Sequence, residues 1–280
     1  MSKTIATYKR VQEVLLDHGL HAKKHLGQNF IIDRNIIDKI VKVASIDSTS
    51  CVLEIGPGIG SLTQALCEHA KEVVAVEIDL TMVNILKDTC LEYDNLVVVH
   101  EDFLQYDLNQ LPFSSFTVCA NLPYYVTTPI LFKLFETSHD VQKIVVMVQK
   151  EVALRFKAKK DSKQYNALSI YAQTCFDVSL AFDVSKHVFY PKPDVDSSIL
   201  IFQPKKDVDK EAYAPIFDFI KKCFAFRRKT LANNLKEIVK DTSRINEYLQ
   251  LADLETTIRA QSLAFEDFKR LFEVIVKNET

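Results

Sequence analysis

Across the first two-thirds of this 280-residue chain, short apolar runs alternate with segments whose apolar positions recur every three or four residues. The runs CVLEI (51–55), EVVAVEI (72–78), NLVVV (95–99), FTVCA (116–120) and KIVVMVQ (143–149) are continuous and rich in Val and Ile. That is the signature of parallel strands covered on both faces. Between them, SLTQALCEHA (61–70), TMVNILKDTCLEY (81–93) and TPILFKLFETS (128–138) read as helices. Thr128-Pro129 predicts a helix start, with Thr128 as N-cap and Pro129 at the first helical position. Repeated strand, helix, strand predicts a doubly wound α/β sheet with right-handed crossovers. ALSIYAQTCFDV (167–178) and DSSILIFQP (196–204) are expected to close its edge as an antiparallel pair, with the stiff tract YPKPDVD (190–196) between them.

After Pro204 the pattern changes. KKDVDKEAY is polar and linker-like, and the four segments YAPIFDFIKKCF, RKTLANNLKEIV, SRINEYLQLADL and AFEDFKRLFEVIV all show helical spacing. The expected division is 1–205 for the sheet domain and 206–280 for a small all-helical domain. The apolar share of 48% against 26% charged residues, with 5 Gly and 8 Pro, is that of a soluble, well-packed protein. No apolar run is long enough for a membrane span and MSKTIATYKR has no apolar signal core, so a cytoplasmic protein is expected. The six scattered cysteines contain no CxxC pair, which predicts reduced thiols and no metal site. Net charge is -2, but Lys221–Lys229 (KKCFAFRRK) holds no acid, and Arg155, Lys157, Lys159, Lys160 and Lys163 surround a single Asp161. Such asymmetry builds a basic face on a near-neutral protein.

Candidate chemistry gathers at the C-terminal ends of the expected strands, where open α/β sheets bind ligands. Glu54-Ile55-Gly56-Pro57-Gly58-Ile59-Gly60 follows the first strand and opens a helix. Its glycines let a ligand approach the backbone beside a helix N-terminus. The second strand ends in Glu77-Ile78-Asp79, placing a carboxylate to accept both ribose hydroxyls of an adenosyl group. The third leads into Glu101-Asp102-Phe103, where Asp102 suits an adenine amine and Phe103 suits its ring. Up to this point a dinucleotide and S-adenosylmethionine fit equally. The fourth strand ends in Asn121-Leu122-Pro123-Tyr124, and that tetrapeptide favours methyl transfer to the N6 amine of adenine. The amine's lone pair is delocalised into the ring, so a useful site accepts its protons and draws the nitrogen toward tetrahedral geometry. An Asn oxygen and the carbonyl of Leu122, held extended before Pro123, are suited to this. Tyr124 offers a flat face to a flipped or single-stranded base.

The chain resembles the ribosomal RNA adenine dimethyltransferases, and most of all their bacterial small-subunit branch. The resemblance is carried by HLGQNFIID (25–33), EIGPGIGSLT (54–63), EID (77–79), NLPYYVTTPIL (121–131), VQKEVALR (148–155), FYPKPDVDSSI (189–199) and FAFRRKTLANNL (224–235). It implies a Rossmann-like class I methyltransferase sheet followed by a helical RNA-contacting domain. It also implies four methyl groups placed on two adjacent adenosines near the 3′ end of the small-subunit rRNA. Carried over by motif, Asn29, Ile31, Gly56, Gly58, Glu77, Asp102 and Asn121 contact S-adenosylmethionine. Asn121, Leu122, Pro123 and Tyr124 frame the adenine, and Gln28-Asn29-Phe30 closes over the cofactor. Arg227, Arg228 and Lys229 are expected to meet RNA phosphates, in an immature small subunit, with the protein a monomer. Phe224 and Phe226, interleaved with them, read as core residues ahead of stacking platforms. Three positions depart from the family pattern: Phe103 for a small residue, Asn166 for a glycine and Ile31 for leucine.

Other readings are a large-subunit rRNA methyltransferase of the antibiotic-resistance branch and a mainly non-catalytic ribosome assembly factor. FAFRRKTLANNL and the doubled tyrosine favour the small-subunit branch, and intact Asn121 and Glu77 favour an active enzyme. A DNA adenine methyltransferase fits less well, because its motif resembles D/N-P-P-Y. An NAD-dependent dehydrogenase needs a fuller GxGxxG and leaves NLPY without a role.

Overall fold

The structure, a computed structural model, describes residues 4–20 and 29–279. Tyr8–Asp17 (α1) leads to Phe30–Ile31 (β1) and Arg34–Ala44 (α2). Next come Cys51–Ile55 (β2), Ser61–His69 (α3), Glu72–Glu77 (β3), Leu80–Thr89 (α4), Leu96–His100 (β4), Ser115–Asn121 (β5), Thr127–Glu136 (α5) and Asp140–Gln149 (β6). Lys150–Phe156 (α6), Ala167–Cys175 (α7), Phe176–Val184 (β7), Phe189–Tyr190 (β8) and Ser197–Pro204 (β9) follow. The remaining helices are Lys210–Cys223 (α8), Leu231–Leu235 (α9), Ile245–Leu251 (α10) and Phe265–Glu279 (α11). Among the described residues no helix is long and apolar enough to cross a membrane.

The chain divides into two compact units, one running up to Ala153 and resuming over Asp177–Pro204, the other made of Leu154–Phe176 and the chain from Lys205 onward. The first unit holds a sheet of order β4-β3-β2-β5-β6-β9-β7. Neighbours from β4 to β6 are parallel, and β9 is antiparallel to β6. The order reverses at β2, which has β3 on one side and β5 on the other, and that is the switch point where such sheets open a crevice. Along β3, Val73 and Ala75 enter cores built with α1 to α4, while Val74 and Val76 are buried as well. Burial on both faces is why these strands read as unbroken apolar runs.

Helices α1 and α2 are additions to the elements expected from the sequence. The signal for α2 was present: Asp33 caps it, accepting from Asn35 N at 2.9 Å, and Ile37, Ile40, Val41 and Ala44 form its buried stripe. Helix α5 starts at Thr127, one residue before the expected cap, with Val126 in the capping position. Pro129 is therefore the third helical residue, where its missing N–H is still one that no helical carbonyl would have met.

The expected strand over 167–178 is a helix through Cys175, and only β7 beyond it is strand. A capping box explains the difference. Asn166 accepts from Leu168 N and Ser169 N, and Ser169 Oγ in turn accepts from Asn166 N. The glycine replaced by Asn166 is not needed, because the backbone there is extended (φ -158). The second unit takes in this segment as well as α8 to α11, so the chain enters the helical unit before its expected boundary at 205. Aromatic packing holds it there: Tyr171 stacks on Phe217 with ring centroids 3.8 Å apart, and the Tyr165 hydroxyl donates to Leu263 O at 3.1 Å.

Candidate active site

A cavity of about 340 Å³ opens at the switch point. Its walls bring together Asn29, Ile31, Gly56, Gly58, Glu77, Asp102, Asn121, Leu122, Pro123 and Tyr124, residues drawn from β1, the turn after β2, and the tips of β3, β4 and β5. Gln28 lies outside the described residues. Arg227, Arg228 and Lys229 are exposed in the helical unit and take no part in this cavity.

The turn after β2 is shaped by Gly58, whose φ of +58 favours glycine and whose Cβ would meet the Phe30 ring at 3.1 Å. Phe30 thus lies directly on the turn. It is held by β1, which pairs antiparallel with β8 so that Phe30 faces Tyr190 and Ile31 faces Phe189. Phe30-Ile31 and the FYPKPDVDSSI segment, far apart in the chain, meet through this ladder.

Glu77 ends β3 with its carboxylate fixed by two backbone donors, Gly58 N to Oε2 at 3.1 Å and Asp79 N to Oε1 at 2.9 Å. Burial pushes its carboxyl above the usual range, and these N–H donors oppose the shift. A carboxylate offers about four acceptor sites, more than its backbone donors fill. Asp102 is oriented by Leu104 N at 2.9 Å to its Oδ1. The loop bearing Asp102 and Phe103 is tied down by Lys133 of α5, whose ammonium donates to the carbonyls of Phe103, Leu104 and Tyr106 at 2.7, 3.1 and 2.5 Å. Phe103 is buried in the cavity wall, with the Lys133 ammonium 5.0 Å from its ring centroid.

At the tip of β5, Asn121 Nδ2 donates to the main-chain carbonyl of Asn29 at 3.0 Å. This bond fixes the amide's orientation and leaves Oδ1 as its acceptor end. The Pro123 carbonyl is taken up by Val126 N at 3.2 Å and Thr127 Oγ1 at 3.0 Å. Among the described residues no donor reaches the Leu122 carbonyl, so it is the backbone acceptor left at this corner. The Tyr124 hydroxyl lies 2.8 Å from the hydroxyl of Ser197, which is fully buried at the start of β9. Burial raises the Tyr124 phenol above its ordinary value, so it stays neutral.

Sequence reasoning assigned no role to several wall residues. Glu54 is 1% exposed with Oε2 unpartnered, and Ser61, Met82 and the well-exposed Tyr125 also face the cavity. Glu54 and Ser61 stand inside EIGPGIGSLT, so position in the motif was the signal available for them. Met82 comes from the first turn of α4, and nothing in its spacing marks it. Burial pushes the Glu54 carboxyl up to about 8, and Glu77 nearby adds to the rise. Because the folded value lies above that of the unfolded chain, the protonated form favours folding. The stability contributed by Glu54 is therefore full below about 4.5 and is lost as pH rises to about 8. Glu54→Gln is expected to flatten the dependence of Tm on pH across that window. An equally steep dependence in the variant would assign it to other groups.

Fold and strand-tip cavity together are those of a class I methyltransferase. The structure is similar to a dimethyladenosine transferase from Plasmodium falciparum, with a TM-score of 0.74 and 28% identity over 88% of this chain and 97% of that one. Its fold is also that of the 23S rRNA methyltransferase ErmE, at a TM-score of 0.64, 24% identity and coverage of 89% and 100%. The family model for ribosomal RNA adenine dimethylase matches residues 19–277. Ribosomal RNA small subunit methyltransferase A of Bacillus pumilus is 44% identical over 99% of both chains, and that of Enterococcus faecalis is 43% identical over 99% of this chain and 98% of its own. The chain belongs to the ribosomal RNA adenine dimethylase family.

Proposed function

We propose that this protein is an S-adenosylmethionine-dependent rRNA (adenine-N6,N6)-dimethyltransferase. It acts on the small-subunit (16S) rRNA, dimethylating two adjacent adenosines near the 3′ end in an immature small ribosomal subunit, as a cytoplasmic monomer. The observation that carries this reading is the corner at the tip of β5. There an Asn amide with its acceptor end fixed, a free main-chain carbonyl and a neutral tyrosine line the same cavity as Glu77 and Asp102.

The cavity suits S-adenosylmethionine. Glu77 keeps acceptor capacity for ribose hydroxyls, Asp102 for the adenine amine and Phe103 a ring for the base. The glycine turn brings the backbone up to the ligand. When bound, the cofactor supplies a methyl group on a positively charged sulfur, already a strong electrophile. The protein's part is positioning and electrostatics. Tyr124 stacks the target base. Asn121 Oδ1 and the Leu122 carbonyl accept hydrogen bonds from the N6–H groups, which localises the nitrogen lone pair and orients it for methyl transfer. Transfer would leave N6 cationic and strongly acidic, so its proton passes to water and no strong general base is needed.

The basic tract 227–229 serves as a phosphate-binding patch in the helical unit, where all three side chains are exposed and no carboxylate pairs with Arg227 or Arg228 among the described residues. Replacing Arg227, Arg228 and Lys229 together by Gln is expected to lower the slope of log K against log salt by about 2, at about 0.7 per single-strand phosphate contact. An unchanged slope would take the patch out of the interface. The function is tested by methyl transfer from labelled S-adenosylmethionine to unmethylated small subunits and, separately, to large-subunit rRNA, with digestion to nucleosides. N6,N6-dimethyladenosine from the small subunit is expected. Label only in the large-subunit RNA would overturn the target and keep the chemistry. Cofactor binding with no label in either would favour a non-catalytic assembly role.

A further inference from the structure

The two phenylalanines of FAFRRKTLANNL part company in the structure. Phe224 packs into the helical unit, its ring 6.5 Å from that of Tyr165 and 5.9 Å from that of Phe268. Phe226, two residues on, is 49% exposed. A single exposed phenylalanine by itself calls for no explanation. This one is held in place. Asn234, only 3% exposed, spends both ends of its amide on the Phe226 backbone, accepting from its N–H at 2.9 Å and donating to its carbonyl at 3.3 Å. Lys229 N closes on the same carbonyl at 3.0 Å, and Leu231 N anchors the exit of the loop on Ile258 O at 2.7 Å. Buried polar side chains must find partners. Here the partner is the stretch of backbone that presents the ring.

The surroundings of the ring give the sign of its partner. The Lys229 ammonium lies 4.2 Å from the Phe226 centroid, and Arg227 and Arg228 stand exposed beside it with no acid between Lys221 and Lys229. A backbone-anchored aromatic with Lys229 against its ring and two exposed arginines beside it is an arrangement that grips unpaired nucleotides: the ring takes the base and the cations take the backbone phosphates. An apolar protein partner would have to desolvate three cations to reach the ring.

We propose that Phe226 is a stacking platform for an unpaired base of the RNA substrate, held in position by Asn234 and flanked by phosphate-binding Arg227, Arg228 and Lys229. The proposal rests on the reading that this face of the helical unit meets RNA, and adds to it a contact without charge.

The absence of charge gives a clean test. The chain contains no tryptophan, so Phe226→Trp introduces the sole indole of the protein. Titrated with unmethylated small subunits, this variant is expected to have its emission quenched over the concentrations at which wild type binds them. Phe226→Ala is expected to weaken binding by roughly 5- to 100-fold, the range of one base stacked on one aromatic ring. Its salt slope should stay that of wild type, whereas Arg227→Gln with Arg228→Gln should lower the slope. Emission unchanged at saturating small subunits, or wild-type affinity in Phe226→Ala, would overturn the platform. If that happens while the protein still methylates small subunits, the reading of its function stands. If wild type neither binds nor methylates unmethylated small subunits, both fall.

Discussion

Asn121→Ala is expected to lower kcat for methyl transfer by about 10²- to 10³-fold, the usual effect of removing one preorganised hydrogen-bonding group aimed at a reacting centre. Cofactor affinity should change far less, because Glu77, Asp102 and the glycine turn remain. The reasoning lies in the corner at the tip of β5. The bond from Asn121 Nδ2 to the Asn29 carbonyl, at 3.0 Å, leaves Oδ1 as the acceptor end, the end proposed to meet the adenine. Asn121→Asp discriminates further: it retains an acceptor but loses the donor, and sets a carboxylate against the Asn29 carbonyl. It should therefore fall well below wild type even though an oxygen is still present. Single-turnover rates on unmethylated small subunits, with S-adenosylhomocysteine affinity measured in parallel, check both variants. Turnover at the wild-type rate in Asn121→Ala would remove Asn121 from the chemistry.

Glu77→Ala should act on the other axis, raising the Kd for S-adenosylhomocysteine by about 100-fold through the loss of charged hydrogen bonds to the ribose. It should also reduce stability. Gly58 N–H and Asp79 N–H both end on this carboxylate, and each loses its partner at a cost of roughly 1–3 kcal/mol where water does not reach it. Glu77→Gln keeps acceptor capacity and should show a smaller version of both effects. Calorimetric titration and thermal melts separate the two. Wild-type affinity in the alanine variant would show that Glu77 holds the turn without touching the ligand.

Much of the cavity wall was legible in the sequence because each residue sits at the end of a strong local signal. The runs at 51–55 and 72–78 are buried on both faces, so their ends are easy to find, and Glu77 and the glycine turn follow directly. Features built by distant parts of the chain were not legible. Nothing local at Ser197 says that its hydroxyl meets Tyr124, a contact made by bringing β9 alongside β6. The segment 167–178 misled for a different reason. Its apolar residues fit either period, and the choice was made by a two-residue cap at Asn166 and Ser169. The division between Phe224 and Phe226 was equally closed to pattern reading. Both lie among basic residues, and what separates them is the Asn234 side chain eight positions beyond Phe226.

The acceptor that orients Asn121 belongs to the main chain of Asn29, and this makes part of the proposed catalytic geometry invisible to replacement of side chains. Alanine at position 29 keeps the carbonyl, so a scan of single substitutions will attribute any loss there to the cofactor wall alone. What would disturb the amide is a change in the path of the backbone: a deletion or insertion ahead of β1, or a break in its short ladder with β8. Variants that shift the chain without altering any wall residue are therefore the ones in which cofactor binding should survive while methyl transfer is lost.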